Sequence, residues 1–205
     1  MTSQLTPKLE EVAPGIWSVI TSIIPPENGG PNAGFILAGD QVLVIDSLIS
    51  PSMGQILLKQ LAGVTERPIT FLINTHIHGD HVGGLPRFLE KNHEITLYLP
   101  KSFPTSFKND MKKYGVEVIE VQEPIKICEH VYSSGDIEGQ IREQALFIQS
   151  DNGLIVITGC AHPGIVKIVQ KAKNMLKDEV LFVMGGFHLG GESKGRLERI
   201  VSDFR

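Results

Sequence analysis

The stretch Phe71-Leu-Ile-Asn-Thr-His76-Ile-His78-Gly-Asp80-His81-Val-Gly-Gly84 constrains this chain more than any other. An apolar run of strand length opens at once into three histidines and an aspartate. Alternation along an extended backbone turns the rings of His76 and His78 to one side, and Asp80 and His81 follow as the chain turns. Neutral imidazole and carboxylate are ligands for borderline divalent ions. A solvated loop gains nothing from such a concentration of histidine and needs no buried strand to aim it. The stretch therefore reads as a metal site delivered by a buried strand.

Composition narrows the setting. The 205 residues suffice for one domain with a substantial core, and 41% hydrophobic with 20% charged residues is far from a disordered composition. A net charge of −4 gives no general attraction to nucleic acid or an acidic membrane. The longest apolar runs, such as Leu154 to Ile157 and Val180 to Met184, are too short to span a bilayer. Residues Met1 to Glu11 are polar and lack the apolar core of a secretory signal. Cys128 and Cys160 are far apart, without a Cys-x-x-Cys pairing. A cytoplasmic protein without disulfides is expected.

Along the chain, Ile16 to Ile24 reads as a strand ended by Pro25-Pro26, and the Gly- and Asn-rich segment from Glu27 to Gly34 reads as an exposed loop. Phe35 to Ala38 and Val42 to Asp46 form a hairpin across Gly39-Asp40. A helix over Ser52 to Leu61 returns the chain to the strand Ile69 to Ile73, a parallel crossover that places the histidines just past a strand's carboxyl end. A short helix from Leu85 to Lys91, a strand from Ile95 to Leu99 and a helix from Phe103 to Tyr114 follow, the last carrying Lys108, Lys112 and Lys113 on a solvated face. Val116 to Val121, Ile125 to Ile127 and Val131-Tyr132 are further short strands. Ala145 to Gln149 and Leu154 to Gly159 form a second hairpin, which opens into Gly159-Cys160-Ala-His162-Pro163. Pro163 and the spacing Ile165, Ile168, Val169, Ala172 predict a helix starting at the proline, with His162 beside its unpaired N–H groups. That position disfavours imidazolium and suits a neutral ligand. The strand Val180 to Met184 ends in Gly185-Gly-Phe-His188.

Five of the seven histidines therefore lie at strand ends, at His76, His78, His81, His162 and His188, whereas His93 and His130 read as surface residues. Two divalent ions about 3.5–4 Å apart would use roughly six protein ligands. His76 and His78 would hold one ion and Asp80 and His81 the other, with Cys160, His162 and His188 completing the shells. Zinc is the expected metal, with iron or manganese as alternatives. Such an ion lowers the pKa of bound water and supplies a nucleophile at neutral pH. Asp80 and His188 are the candidates for a direct part in catalysis. No serine or cysteine nucleophile with an adjacent base is apparent.

Thr75-His76-Ile-His78-Gly-Asp80-His81-Val-Gly-Gly84, preceded by Val42-Leu-Val-Ile-Asp46, resembles the metal-binding core of the metallo-β-lactamase superfamily. The resemblance implies a single domain over residues 1–205 with the α+β, αββα fold: a four-layer sandwich of two mixed sheets with outer helices. It also implies a dinuclear metal site at one sheet edge. Asp46 would stand behind the ligands and hydrogen-bond the strands that carry them, and Asn32 and Gly34 would lie on a loop flanking substrate. Glu143-Gln-Ala-Leu146, the run Gly153 to Ile165 and Gly185-Gly-Phe-His188-Leu189 resemble the dihydropterin-ribofuranosylaminobenzene-phosphate synthase-like subgroup. Three departures stand out: Gly135 to Arg142 holds no histidine, Cys160 takes the place of the bridging aspartate, and the chain stops at Arg205, before the strand that supplies a late ligand. The sandwich is thus expected either complete or without its last strand.

The function expected is a metal-dependent hydrolase, using a metal-bound hydroxide on a small, anionic substrate. The anionic preference rests on the helix start at His162 and on metal charge. The alternatives are a pterin transfer of the subgroup's kind and a metal-binding module with little activity. The partner expected is a small molecule, with no nucleic acid and no membrane. The histidine at position 78 argues against the diiron oxygen-reducing branch, length and charge against RNA processing, and the polar start against an exported lactamase.

Overall fold

The computed structural model describes residues 7–21 and 32–204. It divides into two compact units, Met1–Val121 and Gln122–Arg205, each built on one mixed sheet. In the first unit seven strands lie side by side in chain order. They are β1 (Lys8–Ala13), β2 (Ile16–Ile20), β3 (Asn32–Ala38), β4 (Gln41–Ile45), β5 (Ile69–Ile73), β6 (Thr96–Pro100) and β7 (Glu117–Val121). The pairs from β1 to β4 are antiparallel and those from β4 to β7 parallel. This change of direction follows from the connections. Gly39-Asp40 makes the tight turn of a hairpin, whereas α1 (Pro51–Ala62), α2 (Gly79–Val82) with α3 (Leu85–Leu89), and α4 (Thr105–Lys112) carry the chain back for parallel pairing.

The apolar runs of β4 and β5 lie in a core with Phe35, Leu57, Leu61, Phe88 and Leu97. Trp17 stacks on Phe35 at 5.8 Å between ring centroids. Ser50 caps α1, its hydroxyl accepting from the Met53 N–H at 3.3 Å. The Val-Gly-Gly end of the histidine stretch has a packing reason: a Cβ on Gly84 would stand 1.9 Å from the Ser47 carbonyl oxygen and 3.0 Å from the Gly54 Cα. Only glycine lets α3 come that close to α1 and to the segment after β4.

The second unit contains β8 (Ile125–Cys128), β9 (Val131–Ser133), β10 (Leu146–Ser150), β11 (Gly153–Thr158) and β12 (Val180–Gly185), in the order β12-β11-β10-β9-β8. The helix α5 (Ile165–Leu176) links the parallel pair β11 and β12, and the remaining pairs are antiparallel. Every residue of β11 is buried, as its unbroken apolar run implies. Ile165, Ile168 and Ala172 of α5 pack on Phe147, Leu154 and Val156. The last helix, α6 (Lys194–Asp203), buries none of its residues. Two mixed sheets with flanking helices is the expected fold class. Among the described residues no helix is long and apolar enough to cross a membrane.

Three expectations change, and a fourth is met only as far as the described residues reach. The strand beginning at Ile16 is seen to Ile20, and its expected continuation, like most of the following loop, lies outside the described residues. Asn32 and Gly34 belong to β3 rather than to a loop; Gly34 pairs with Ser18 on one side and Ile45 on the other, and its missing side chain makes room for the Trp17 carbonyl. Lys108 is not on a solvated face: it is buried, with its ammonium donating to Glu120 at 2.6 Å and to the Lys101 carbonyl at 3.0 Å. Finally, α5 starts at Ile165 behind Gly164, whose φ of 97° no proline-led helix start requires, so His162 precedes the helix.

Candidate metal-binding groups

Asp46 organises the first unit's histidines. It ends β4 with a φ of 58° and its carboxylate is buried. One oxygen accepts from the Thr75 N–H at 2.8 Å and the Asn74 amide at 3.4 Å. The other accepts from the Thr75 hydroxyl at 2.8 Å and pairs with His81 Nδ1 at 2.7 Å. A carboxylate only accepts, so His81 carries a proton on Nδ1. Its Nε2 lies 3.8 Å from an Asp80 carboxylate oxygen.

The same logic reaches His76. Its Nδ1 is 3.0 Å from the Thr75 hydroxyl oxygen. The single hydroxyl proton of Thr75 already goes to Asp46, so His76 Nδ1 donates and Nε2 carries the ring lone pair. One buried carboxylate thus fixes the tautomers of two imidazoles, directly and through a threonine. The rings cluster: His76 lies 4.8 Å from His78 and 4.2 Å from His81 between centroids. Asp80 sits in the single turn of α2, with its side chain 41% exposed. Imidazole nitrogen and carboxylate are donor types that divalent transition ions accept.

In the second unit, His162 and His188 come together with ring centroids 4.6 Å apart, and Cys160 lies two residues before His162. The Gly186 N–H donates to the Gly159 carbonyl at 2.8 Å, joining the two loops that carry them. His188 itself has a φ of 48°, a left-handed conformation that sharply turns the chain after β12. Imidazole, imidazole and thiol are donors that suit zinc. A cleft of about 1090 Å³ within this unit is lined by both histidines, Phe187, Asp136, Arg142 and Lys171.

The turn before α5 holds an arrangement that no spacing in the sequence announces. Glu143 is wholly buried and accepts five hydrogen bonds. Its Oε1 takes the Thr158 hydroxyl at 2.8 Å and the N–H groups of Gly159, Cys160 and Ala161 at 2.9, 3.0 and 3.1 Å. Its Oε2 takes the His162 N–H at 2.9 Å. The N–H groups of residues 159–162, which lead into α5, are therefore occupied by the chain's own carboxylate.

Residues 26–169 match the family model of the metallo-beta-lactamase superfamily. The chain belongs to that superfamily. Among characterised relatives it is 28% identical over 191 residues to 7,8-dihydropterin-6-methyl-4-(beta-D-ribofuranosyl)-aminobenzene-5'-phosphate synthase of Methanocaldococcus jannaschii, covering 71% of this chain and 64% of that protein. The chain thus spans just under two thirds of the length of that relative. Among solved structures, the metal-dependent hydrolase Tm1679 of the beta-lactamase superfamily matches with a TM-score of 0.66 and 22% identity, over 83% of this chain and 75% of that one. The mono-zinc form of the metallo-beta-lactamase FIM-1 from Pseudomonas aeruginosa matches with a TM-score of 0.62 and 12% identity, over 87% of each chain.

Within this superfamily member, the structure gathers Asp46, His76, His78, Asp80 and His81 in the first unit and His162 with His188 in the second. His93 and His130 are exposed, as expected of surface residues. Asn32 and Gly34 are strand residues. Three participants escaped the sequence reading: Thr75, Asn74 and Glu143. Thr75 and Asn74 stand next to the histidines at the end of an apolar run, where a polar residue has to find a buried partner. Glu143 and Gln144, both fully buried ahead of β10, carry the same signal.

Proposed function

We propose that this chain is a metal-dependent hydrolase acting on a small molecule. Divalent ions, with zinc first among them, are held by His76, His78, Asp80 and His81 in the first unit and by Cys160, His162 and His188 in the second. The observation that supports the reading is the buried Asp46 carboxylate, which binds His81 Nδ1 directly and reaches His76 Nδ1 through the Thr75 hydroxyl, an arrangement that suits Nε2 coordination. Metal-ligating histidines almost always donate their other ring N–H to such a partner, which fixes tautomer and ring orientation. When bound, the ions supply Lewis acidity and a nucleophile at neutral pH. Asp80, partly open to solvent, is the carboxylate suited to accept a proton from attacking water. The cleft beside His162 and His188 is the proposed place for substrate, with Arg142 and Lys171 among its cationic groups. Preference for an anion rests on those cations and on metal charge.

The test is metal content by elemental analysis together with turnover of generic phosphodiesters and lactones. Wild-type protein is expected to carry divalent metal, and the His76→Ala, His78→Ala double variant to lose both metal and hydrolysis. Unchanged metal and activity in that variant would sink the proposal. A second reading, pterin transfer, is favoured by the 28% identity to the synthase of the methanogen. It is separated by a product assay with a dihydropterin pyrophosphate and the ribofuranosyl aminobenzene phosphate acceptor: a new carbon–nitrogen linked product supports transfer, and release of the pyrophosphate alone supports hydrolysis.

A further inference from the structure

We infer that Glu143 is a positioning residue: it is the permanent anion of a backbone nest formed by residues 159–162, and it fixes how Cys160 and His162 are presented. The inference rests on the metal-binding reading for its functional meaning, but the conformational claim stands on geometry alone.

Four consecutive N–H groups, Gly159 to His162, converge on one side chain. Consecutive N–H groups outside a helix converge where the backbone alternates in hand, and Ala161 contributes the left-handed member with a φ of 55°. A left-handed alanine is unfavourable by itself, and the surrounding bonds must hold it there. Such concavities usually receive an external anion. Here the anion is internal and buried, and none of its five partners carries a charge. A second bond carries the constraint onward, since the Gly159 carbonyl accepts from Gly186 N–H, two residues before His188. With the N–H groups drawn to the carboxylate, the half-buried Cys160 and His162 side chains are carried by a turn whose backbone is fixed.

The two carboxylate oxygens have different duties, and Glu143→Gln exploits this. If the amide oxygen takes over the Oε1 position, with its four donors, the NH2 group faces the His162 N–H, two donors without an acceptor. Glu143→Gln should therefore free His162 while largely keeping Gly159 to Ala161 in place. Thr158→Val is the control, removing one bond from the same carboxylate without touching an N–H group.

The experiment is amide hydrogen exchange resolved by residue on the metal-free protein, with cobalt(II) binding followed by its visible and thiolate charge-transfer absorption. In wild type, the amides of Gly159 to His162 should exchange at least tenfold more slowly than exposed loop amides, although they lie outside regular secondary structure. In Glu143→Gln, exchange at His162 should rise at least tenfold, and cobalt affinity should fall by about 10- to 100-fold with a changed thiolate band. Thr158→Val should leave the His162 amide and the cobalt spectrum as in wild type. Unprotected wild-type amides at 159–162 would overturn the inference even if the variant failed to fold. So would an unchanged His162 amide in Glu143→Gln, or a Thr158→Val variant that loses cobalt as fully as Glu143→Gln. If wild type binds no cobalt, the metal reading of the preceding section fails, and the exchange data alone decide the role of Glu143.

Discussion

Asp46 shows how far one residue can organise a site. It adopts a left-handed φ that aspartate tolerates better than most side chains, and it gathers partners 29 and 35 positions downstream. Replacing it with alanine would leave the Thr75 N–H and the His81 Nδ1–H buried without an acceptor, each an uncompensated desolvation. Asp46→Ala is expected to lose about 3 kcal/mol of stability in urea unfolding. Asp46→Asn keeps the shape but turns a donor toward one of these groups, so zinc affinity should fall by about 10- to 100-fold with a smaller stability loss. Equal zinc affinity in wild type and Asp46→Asn would mean that the tautomers are not what Asp46 is there to set. The ligand types were legible in the sequence because alternation and strand ends are local properties. The bonds that aim them were not, because the partners of Asp46 and of Glu143 are 15 to 35 residues distant.

At the scale of elements, strands such as β5 were legible to the residue because their apolar runs are short and sharply bounded. Helix faces were less so. The three lysines on and just after α4 look alike in sequence, yet Lys108 is 7% exposed in its side chain while Lys112 and Lys113 are 49% and 75% exposed. What decides is Glu120 on β7, which a helix projection does not contain. The hydrogen bond from Lys108 lowers the Glu120 carboxyl below its ordinary value; burial opposes the shift, and the charges of Lys108 and Lys112 add to it. A lowered carboxylate stabilises the fold above its unfolded value, and that contribution is lost as pH falls through the lowered folded value. Glu120 is itself partly exposed, so solvent screening reduces the effect. Glu120→Gln should cost about 1 kcal/mol at neutral pH, and the gap from wild type should close as pH falls through the carboxylate range. Urea unfolding over a pH series checks this, and a gap that stays constant with pH would refute the pairing. The start of α5 was misplaced for a similar reason: Pro163 signals a helix locally, but the turn before it is held by a distant Glu143 and finished by Gly164.

For the whole molecule, the fold class and the superfamily were legible because a strand, helix, strand order and a dense histidine stretch survive wide sequence change. Reaction and substrate were not, since one fold hosts many chemistries. The chain's 64% coverage of the synthase also leaves part of that relative without a counterpart here. Stability offers a test of metal binding that needs no substrate. A ligand that binds only the folded chain stabilises it by about 2.7 kcal/mol at a free concentration one hundred times its Kd. For a chain of this size each kcal/mol moves Tm by about 2–4 °C, so zinc should raise Tm by about 5–10 °C over chelator-treated protein. Imidazole and thiol donors discriminate against magnesium, which should give little or no shift at the same concentration. His81→Ala, which removes a nitrogen that Asp46 has oriented, should reduce the zinc shift. A Tm that responds equally to zinc and magnesium, or to neither, would show that these histidines pack the strand ends without holding a metal.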